Sequence, residues 1–425
     1  MRENALPPPF VLKNGGQRPR RPWFSWRSGC AALDAEARGV GYPFNTILFE
    51  ATRRCNLACP ICMTGSNDPV RVRECAGREL STEEVEELIL APGKELGAEV
   101  MTWSGGEFLL RTDALELVRR AARLGYASSI LTSGKGVTRE LLRELQSASG
   151  GTLVLAVGIN SIEDESAWTR DSACSLALRA LELCRQLDIK RHVVVNIGRH
   201  NLATLARTLQ WLEDRNLPFN RAPFAARGSG RAHFAALAFS REEMERVIHP
   251  ELRRRPNGYI SYTPFFLNPD LHARFSGGRR NVTVPQNPPV GCFIGNGLFI
   301  GAEGNLAPCN LLLDVLDCGN VREKPLARLV AESPVFQALL DRRNLKGKCG
   351  RCRYQFVCGG CRAVAYFHTG DYLAEDPTCF FEPADRTTVS PHEEETNRAF
   401  RRYVFMARHA GRNRASVAAG PSDKR

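Results

Sequence analysis

The sequence predicts an α/β fold built on a parallel sheet. Six short runs rich in β-branched and apolar residues follow one another between residues 45 and 226, with segments of helical character between them. They read NTILFEA, AEVMTWS, YASSILTS, GTLVLAVGI, RHVVVNIG and FNRAPFAA. Strands that alternate with helices pair in parallel, because each helix carries the chain back to the start of the next strand. Periodicity alone leaves open whether the sheet is doubly wound or curled into part of a barrel.

Two of the helical segments carry a specific start signal. Ser81 is followed by Glu84, and Ser240 is followed by Glu243. This spacing is typical of a capping box, in which each side chain accepts a hydrogen bond from the backbone N–H of the other residue. We therefore expect helices to begin directly after Ser81 and Ser240.

Composition divides the chain into five segments. Residues 1–43 are rich in Pro, Gly and Arg and predict an irregular arm, and residues 44–252 hold the βα alternation. Residues 253–289 are dense in Pro, Gly and Asn, which is typical of a connecting or lid segment. Residues 290–383 contain most of the cysteines and predict a second, small domain. We expect residues 384–425 to form one helix and then a disordered tail.

The net charge of +12 permits two interpretations. It is typical of a solvated basic surface, and the alternative is a basic cleft that attracts an anionic substrate. We do not expect a nucleic-acid partner, because the basic clusters RPRRPW and ELRRRPNG are short and no recognised nucleic-acid module accompanies them.

The 15 cysteines indicate metal chemistry. No apolar run approaches the ~18 residues of a membrane span, and the first residues lack the apolar core of a signal peptide, so we expect a cytoplasmic protein without a membrane partner. Thiols stay reduced in the cytoplasm, which favours metal or cluster ligation over disulfides.

Three of the thiols lie together directly after the first predicted strand, in RRCNLACPICM. Cys55, Cys59 and Cys62 are spaced by four and three residues. Three thiolates on one loop can hold three corners of a cubic iron–sulfur cluster, whereas a closed cluster of that type needs four. One iron then keeps an open position for a substrate or cofactor. Loops that follow strands of a βα series are also where such folds place their ligands.

This CxxxCxxC loop after a first βα strand resembles the radical S-adenosylmethionine (SAM) superfamily. The resemblance implies a partial (β/α)6 barrel and a 4Fe–4S cluster whose open iron binds the amino and carboxylate groups of SAM. It also implies reductive cleavage of SAM to a 5'-deoxyadenosyl radical, which takes a hydrogen atom from a substrate C–H. No catalytic side chain beyond the cluster ligands is implied, and the electron comes from a reductant such as flavodoxin or ferredoxin.

The same resemblance implies SAM contacts at the ends of the next strands. The segment WSGGEFLL occupies the position that contacts the methionine ammonium, and LTSGKG, VGINSIED and VVVNIG occupy the places that hold the ribose. Gly158 and Asn160 depart from the common Ser-x-Asp pattern, and the asparagines can instead cap their loops. The residues implied are Gly105, Gly106, Glu107, Ser133, Asn160, Ser161 and Asn196.

A second set of seven cysteines resembles the SPASM extension of radical SAM enzymes, which holds two auxiliary iron–sulfur clusters. Gly304, five residues before the second cysteine of the set, belongs to that pattern. The resemblance assigns one subset to a distal cluster: Cys349, Cys352, Cys358 and Cys379. It leaves the others for a proximal cluster: Cys292, Cys309 and Cys361. Cys318 either closes the proximal cluster or is a buried apolar residue, and a pair of zinc ribbons is the alternative to both clusters.

The substrate stays open between classes. The segments LKGKCGRCRYQFVCGGC and TGDYLAEDPTC resemble the branch that contains haem-pathway side-chain enzymes and the pyrroloquinoline quinone peptide enzyme. We expect oxidation, decarboxylation or bond formation on a small carboxylate-bearing, tetrapyrrole or natural-product substrate. The short Pro-rich start is unsuited to a folded peptide-recognition domain, so maturation of a ribosomally made peptide is the alternative. A zinc-binding interaction protein without catalysis is the third hypothesis.

Overall fold

One eight-stranded sheet forms the centre of the protein. The computed structural model describes residues 44, 46–163, 168, 173–254, 292, 294, 297–352, 355 and 358–383. The strands are β1 (Thr46–Glu50), β2 (Val100–Ser104), β3 (Ala127–Thr132), β4 (Val154–Gly158), β5 (Lys190–Ile197), β6 (Phe219–Pro223), β7 (Gly297–Ile300) and β8 (Leu306–Ala307). Their order in the sheet is β6-β5-β4-β3-β2-β1-β7-β8.

The first six strands confirm the predicted α/β class. Each pairs in parallel with the next along the chain, from Thr46 opposite Val100 in β1 and β2 to Val193 opposite Phe219 in β5 and β6. The sheet curls into a half-barrel with helices on its outer side. All carboxyl ends of these strands therefore meet at one edge.

Helices connect the strands and complete the C-terminal part. Those of the barrel are α1 (Pro69–Ala76), α2 (Thr82–Val85, a π-helical Glu86–Leu90 and Ala91–Glu95), α3 (Ala114–Arg123), α4 (Arg139–Ala148), α5 (Ala173–Gln186), α6 (Leu205–Asp214), α7 (Phe234–Leu237) and α8 (Arg241–Glu243, a π-helical Met244–Ile248 and His249–Arg254). The later ones are α9 (Leu326–Glu332), α10 (Pro334–Leu340), α11 (Gly347–Arg351) and α12 (Arg362–Thr369). Short 3₁₀ helices span Phe108–Leu110, Arg199–Asn201, Gly228–His233, Asn310–Leu312 and Arg342–Asn344.

Both predicted capping boxes are confirmed. In α2 the Ser81 hydroxyl accepts a 3.2 Å hydrogen bond from the Glu84 N–H, and the Glu84 carboxylate accepts a 2.9 Å bond from the Ser81 N–H. Ser240 and Glu243 make the same pair of bonds at 3.1 and 2.6 Å at the start of α8. Each box satisfies backbone donors that the first helical turn leaves without a partner.

The two faces of the sheet differ in character. Successive side chains of a strand point to opposite faces, so paired residues on neighbouring strands share a face. The face under the helices is fully buried and apolar, with Phe49, Trp103, Ile130 and Leu155 among its residues. The inner face instead carries small or polar side chains, including Thr102, Ser104, Ser129, Gly158 and Asn196. An inner face of this kind suits a polar ligand better than a packed core.

The strands β7 and β8 are not predicted by the sequence pattern. β7 extends the sheet in parallel beside β1, with Thr46 opposite Gly297, and β8 returns antiparallel to it. Their side chains Leu298 and Leu306 belong to the same apolar core as the barrel strands. The start of the cysteine-rich segment is therefore part of the sheet and not a separate body.

Several expectations concern residues outside the described part of the chain. These are the irregular arm at residues 1–43, almost all of the connecting segment at 253–289 and the whole C-terminal region at 384–425. Among the described residues, no helix is long and apolar enough to cross a membrane.

Candidate active site

The residues implied as SAM contacts lie at the carboxyl edge of the half-barrel. β1 leads into the three-cysteine loop, and the other segments follow or end β2, β3, β4 and β5. Parallel pairing places these strand ends side by side. The edge thus holds Cys55, Cys59, Cys62, Gly105, Gly106, Glu107, Ser133, Asn160, Ser161 and Asn196.

The three-cysteine loop is compact, and its thiols are half-buried and in no disulfide. The Cys62 N–H donates to the Cys59 carbonyl at 3.1 Å, and the Gly65 N–H donates to the Cys62 carbonyl at 3.2 Å. The Leu57 N–H donates to the Cys55 sulfur at 3.4 Å. Burial raises the pKa of Cys55 to about 11, and the nearby Cys59 and Cys62 thiols add to the rise. Three free thiols on one turn match the donor set of a three-cysteine iron–sulfur site.

Hydrogen bonds to two neighbouring segments hold this loop in place. At its base, the Thr52 hydroxyl and the Arg53 N–H both donate to Oε1 of Glu79, at 2.7 and 2.9 Å. On the side of β3, the Lys135 ammonium donates to the Asn56 carbonyl at 2.8 Å. The loop is therefore fixed by hydrogen bonds that do not involve its thiols.

The two glycines after β2 lie directly against the backbone of the cysteine loop. A Cβ at Gly105 would lie 2.4 Å from the Thr52 carbonyl oxygen, and one at Gly106 would lie 2.3 Å from that of Arg54. Gly105 has a φ of +124°, and the Gly106 N–H donates to the Thr52 carbonyl at 2.7 Å. Any side chain at these positions would push the loop away. The predicted contact of this segment with SAM stays a prediction.

Glu107 is directed at the end of β3. Its side chain is 1% exposed, and Oε2 accepts hydrogen bonds from the Thr132 hydroxyl, the Ser133 N–H and the Ser133 hydroxyl at 2.9, 3.0 and 3.0 Å. Its Oε1 accepts a long 3.5 Å bond from the Leu109 N–H. Burial raises the pKa of this carboxyl, and the bonds from Ser133 and Thr132 only partly offset that rise. Glu107 thus joins two of the segments that are implied to contact SAM.

The asparagines after β4 and in β5 are brought together by a third asparagine. The Asn196 N–H donates to Oδ1 of Asn160 at 3.1 Å, which agrees with the loop-capping alternative for that oxygen. The buried Asn201 amide donates to the carbonyls of Asn160 and Asn196, both at 2.8 Å. Ser161 accepts a 3.2 Å bond from the Glu163 N–H. Asn201 was not identified from the sequence, where its only signal is a second Asn shortly after Asn196.

The seven later cysteines form two groups. We call Cys349, Cys352, Cys358 and Cys379 the distal group and Cys292, Cys309 and Cys361 the proximal group. The Cys358 thiol interacts electrostatically with the other three of the distal group, and the Cys361 thiol with the other two of the proximal group. The Cys292 N–H donates to the Cys358 carbonyl at 2.8 Å, so the groups are adjacent. This division is the one that the family resemblance implies, and ligation by these thiols stays a prediction.

Cys318 lies outside both groups. It is 4% exposed and packs in the main apolar core with Val321 and Leu329, whereas Cys309 belongs to a second, smaller core. Burial raises the pKa of the Cys318 thiol to about 11, with a hydrogen bond to Ser333 opposing the rise. This environment favours the structural alternative for Cys318.

Comparisons with known proteins identify the family. The family model of the radical SAM superfamily matches residues 49–212. The chain is 30% identical over 349 residues to a protein named AdoMet-dependent heme synthase from Methanosarcina barkeri, covering 80% of this chain and 97% of the relative. The chain belongs to the radical SAM superfamily. The SPASM model, an iron–sulfur cluster-binding domain, matches residues 292–353 of this radical SAM protein.

Two further similarities place the radical SAM protein in the predicted branch and fold. It is 28% identical to a PqqA peptide cyclase from Bradyrhizobium diazoefficiens, covering 87% of this chain and 94% of the relative. The crystal structure of Streptococcus suis SuiB bound to precursor peptide SuiA superposes with a TM-score of 0.58 at 13% identity, covering 88% of this chain and 84% of SuiB. The family, branch and cofactor set predicted from the sequence are confirmed: a 4Fe–4S cluster with SAM, and auxiliary iron–sulfur clusters.

The thiols of this radical SAM protein fit those cofactors. No cysteine of the described residues is in a disulfide. Three lie on the loop after β1, and the two further groups are buried or half-buried. The distal group has four cysteines, so a four-cysteine cluster site there needs no other type of ligand residue. A Cβ at Gly360 would lie 3.0 Å from the Cys349 sulfur, so glycine at this position keeps space beside a distal thiol.

A network of ion pairs joins the cysteine loop of the radical SAM core to the C-terminal part. The Arg227 side chain is 1% exposed and binds the Glu50 carboxylate with two hydrogen bonds of 2.5 and 2.6 Å. It also donates to the Leu313 carbonyl at 2.6 Å and to Asp314 at 3.1 Å. Asp314 in turn pairs with Arg53 of the cysteine loop. Sequence reasoning missed this network, because its members lie far apart along the chain.

A row of aromatic rings leads from the barrel edge of the radical SAM core to the proximal group. Phe224, just after β6, stacks on Phe234 with ring centroids 6.5 Å apart. Phe234 contacts Phe367 and His368 of α12 edge-on, at 5.6 and 5.0 Å. The residue that caps the start of α12 is Cys361. These contacts fix the helix that carries a proximal thiol beside the carboxyl edge.

Proposed function

We propose that this protein is a radical SAM oxidoreductase that acts on an unactivated C–H bond of a small carboxylate-bearing or tetrapyrrole substrate. The main support is the loop of three thiols outside any disulfide, Cys55, Cys59 and Cys62, at the carboxyl edge of a half-barrel whose inner face carries polar side chains. When bound, the cluster supplies the electron that cleaves SAM to methionine and a 5'-deoxyadenosyl radical, which removes a hydrogen atom from the substrate.

The neighbouring residues of the chain bind and orient SAM in this proposal. Gly105 and Gly106 let the loop after β2 lie against the cysteine loop, so that its backbone faces the methionine part of SAM. Glu107 ties this loop to Ser133 at the end of β3. Asn160 and Asn196, held together by hydrogen bonds, face the ribose from the ends of β4 and β5. The apolar core outside the sheet excludes water from this side of the site.

The two later groups of thiols hold the auxiliary clusters in this proposal. The distal group offers four cysteines, which close a 4Fe–4S cluster. The proximal group offers three from the described residues, and Cys318 packs elsewhere. One proximal iron would therefore keep a position for another ligand, and the ring contact of Phe234 with Phe367 of α12 supports a location of this group on the side of the barrel edge. A substrate held between the barrel edge and the proximal group would reach both the SAM site and the proximal cluster.

Two observations support the substrate class. The similarity to a protein named AdoMet-dependent heme synthase extends over 97% of that relative. The net charge of +12 suits an anionic substrate. Peptide maturation is the second candidate, and it is supported by the similarity to PqqA peptide cyclases. The external reductant is a one-electron donor of the flavodoxin or ferredoxin class.

Reconstitution tests the reaction class. Protein loaded anaerobically with iron and sulfide, then given SAM and a reductant, should form 5'-deoxyadenosine. Replacing Cys55, Cys59 and Cys62 together by alanine should abolish this product and leave most of the auxiliary iron. Cys75→Ala, which removes a buried thiol of α1 outside the three groups, should keep the activity. Formation of 5'-deoxyadenosine by the triple variant would contradict the proposal.

The same assay separates the two substrate classes. A propionate-bearing tetrapyrrole and a short peptide encoded by a neighbouring reading frame are added in turn, each deuterated at its aliphatic carbons. Transfer of deuterium into 5'-deoxyadenosine from the tetrapyrrole is the expected result. Transfer from the peptide alone would replace the first candidate by the second.

A further inference from the structure

A buried arginine lies against one thiol of the distal group. Arg362 is the first residue of α12 and is 3% exposed. Its Nη2 donates a hydrogen bond to the sulfur of Cys349 at 3.7 Å. Its remaining hydrogen bonds run to backbone carbonyls, at 2.5 Å to Ala374, 3.2 Å to Tyr372 and 3.4 Å to Gly360. The guanidinium is thus fixed in position by neutral partners.

The same sulfur receives a second donor. The Asp376 N–H donates to the Cys349 sulfur at 3.4 Å. The Asp376 carboxylate accepts hydrogen bonds of 2.7 Å from the Cys361 N–H and 2.9 Å from the Thr378 N–H. Two N–H donors therefore converge on one ligand sulfur. The Cys309 sulfur of the proximal group also receives backbone N–H donors, from Leu311 and Leu312, so the guanidinium donor is the feature that Cys349 does not share with it.

The arginines near the distal and the proximal group also differ in their ion-pair partners. Arg362 makes no salt bridge within 4 Å among the described residues, although Asp376 and Asp371 interact with it through space. Arg227, the cation nearest Cys309, is bound by Glu50 with two hydrogen bonds. Around the distal group, Lys348 interacts electrostatically with the Cys379 thiol, whereas Glu375 and Asp376 interact electrostatically with the Cys349 thiol.

N–H donors and positive charge at a ligand sulfur stabilise the more negative, reduced form of an iron–sulfur cluster, and so raise its reduction potential. The effect is large where the charge is buried, since solvent does not screen it. We propose that Arg362 sets the reduction potential of the distal auxiliary cluster. It acts through its hydrogen bond to Cys349 and through its positive charge, which is held by backbone carbonyls. The distal cluster then holds an electron released in the reaction more favourably than it would without Arg362, until an external acceptor of the flavodoxin or ferredoxin class takes it.

The inference rests on the proposed ligation by the distal group, and the test separates the two. The protein with Cys55, Cys59 and Cys62 replaced by alanine, which keeps only auxiliary clusters, is titrated anaerobically while electron paramagnetic resonance follows each reduced cluster. The distal signal is the one lost in Cys352→Ala. If no signal depends on Cys352, or if iron analysis finds no auxiliary cluster, the ligation itself is contradicted.

The decisive comparison is Arg362→Gln. At the solution potential that reduces half of the distal clusters in the parent protein, the ratio of reduced to oxidised distal cluster in the variant should be about tenfold lower. This equals a decrease of about 59 mV in the midpoint potential for one electron. The proximal signal should move less. The matched control is Arg351→Gln, which removes an exposed arginine next to Cys352 and should leave the distal midpoint unchanged.

Equal distal midpoints in Arg362→Gln and the parent, with full iron, would overturn the role of Arg362 and leave the ligation intact. If Arg362→Gln does not retain the distal iron, Arg362→Lys is titrated in its place. Lysine keeps the charge but lacks the planar fork that reaches both Cys349 and Ala374, so its midpoint should lie below that of the parent. A midpoint equal to that of the parent would overturn the proposal as well.

Discussion

Cys318 and Cys309 are close in sequence but belong to different cores. Cys309 lies with the proximal thiols, whereas Cys318 packs between β-sheet and α9 side chains and contacts Ser333. A thiol in the second kind of environment behaves as a small apolar side chain. The distinction depends on three-dimensional packing, because the spacing of the two residues is compatible with both being ligands.

Replacing Cys318 by alanine should therefore leave the iron content and the cluster spectra unchanged. The loss of buried contacts should lower the free energy of unfolding by roughly 1 kcal/mol, visible as a lower thermal midpoint. Cys309→Ala is the comparison, and it should lose iron from the proximal group. Loss of iron from the Cys318 variant would make this thiol a ligand after all.

At the scale of single elements, the loops after β1 and β2 form one unit. Hydrogen bonds to Glu79 and Lys135 hold the cysteine loop, and the backbone of Gly105 and Gly106 lies directly against it. The close approach of two backbones leaves no space for a methyl group. Conformation of the cysteine loop is thus coupled to the segment that is implied to contact SAM.

We expect Gly106→Ala to weaken SAM binding about tenfold and to lower the iron content of the first cluster. An added Cβ would lie 2.3 Å from the Arg54 carbonyl oxygen, and overpacking of this kind costs about 1–3 kcal/mol. The auxiliary iron should not change. Gly77→Ala, at a position where a Cβ meets nothing within 4 Å, serves as the control. Calorimetric titration with SAM checks the prediction, which fails if both variants bind equally.

The elements differ in how well their sequence predicts them. β1 to β6 are short runs rich in β-branched and apolar residues between helices, and their order in the sheet follows from parallel pairing of successive strands. β7 spans only Gly297–Ile300 and β8 only Leu306–Ala307, which is too short for a period to be recognised. Their place beside β1 depends on packing of Leu298 and Leu306 into the barrel core, which no local pattern encodes.

The site divides in the same way. The cysteine loop has a spacing with its own chemical meaning, so its position after β1 was predictable. The partition of the later thiols came from family resemblance, since their spacing also fits zinc ribbons. Asn201, Arg227 and Asp314 were not predictable, because each looks like an ordinary loop-capping or solvated residue until its partners are known.

At the scale of the whole molecule, two features join the C-terminal part to the barrel. The first is the sheet, which β7 and β8 continue. The second is Asp314, whose carboxylate interacts with three arginines: Arg53 of the cysteine loop, Arg71 of α1 and Arg227 after β6. Because Asp314 closely follows the loop of Cys309, the network fixes a proximal thiol relative to the first cluster.

The charge state of Asp314 sets the pH range of this contribution. Burial acts to raise the pKa of its carboxyl, but Arg53 and Arg227 outweigh burial and hold the pKa below the ordinary 3.8. A carboxyl with a lowered pKa in the folded state stabilises that state above the unfolded pKa, and the contribution is lost as the pH falls through the folded pKa. From pH 8 to pH 5 the carboxylate is charged in both states, so its contribution is constant.

Asp314→Asn should lower the free energy of unfolding by roughly 2–4 kcal/mol, because the arginines lose a shared carboxylate while Arg227 stays buried. The thermal midpoint of the cluster-loaded variant, measured anaerobically, should lie below that of the parent, and the difference should be equal at pH 5 and at pH 8. The control is Asp317→Asn, which changes an exposed carboxylate of the same loop that accepts a hydrogen bond from the Gly319 N–H. An equal loss in both variants would show that the network does not join the two parts, and a loss that shrinks towards pH 5 would contradict the lowered pKa.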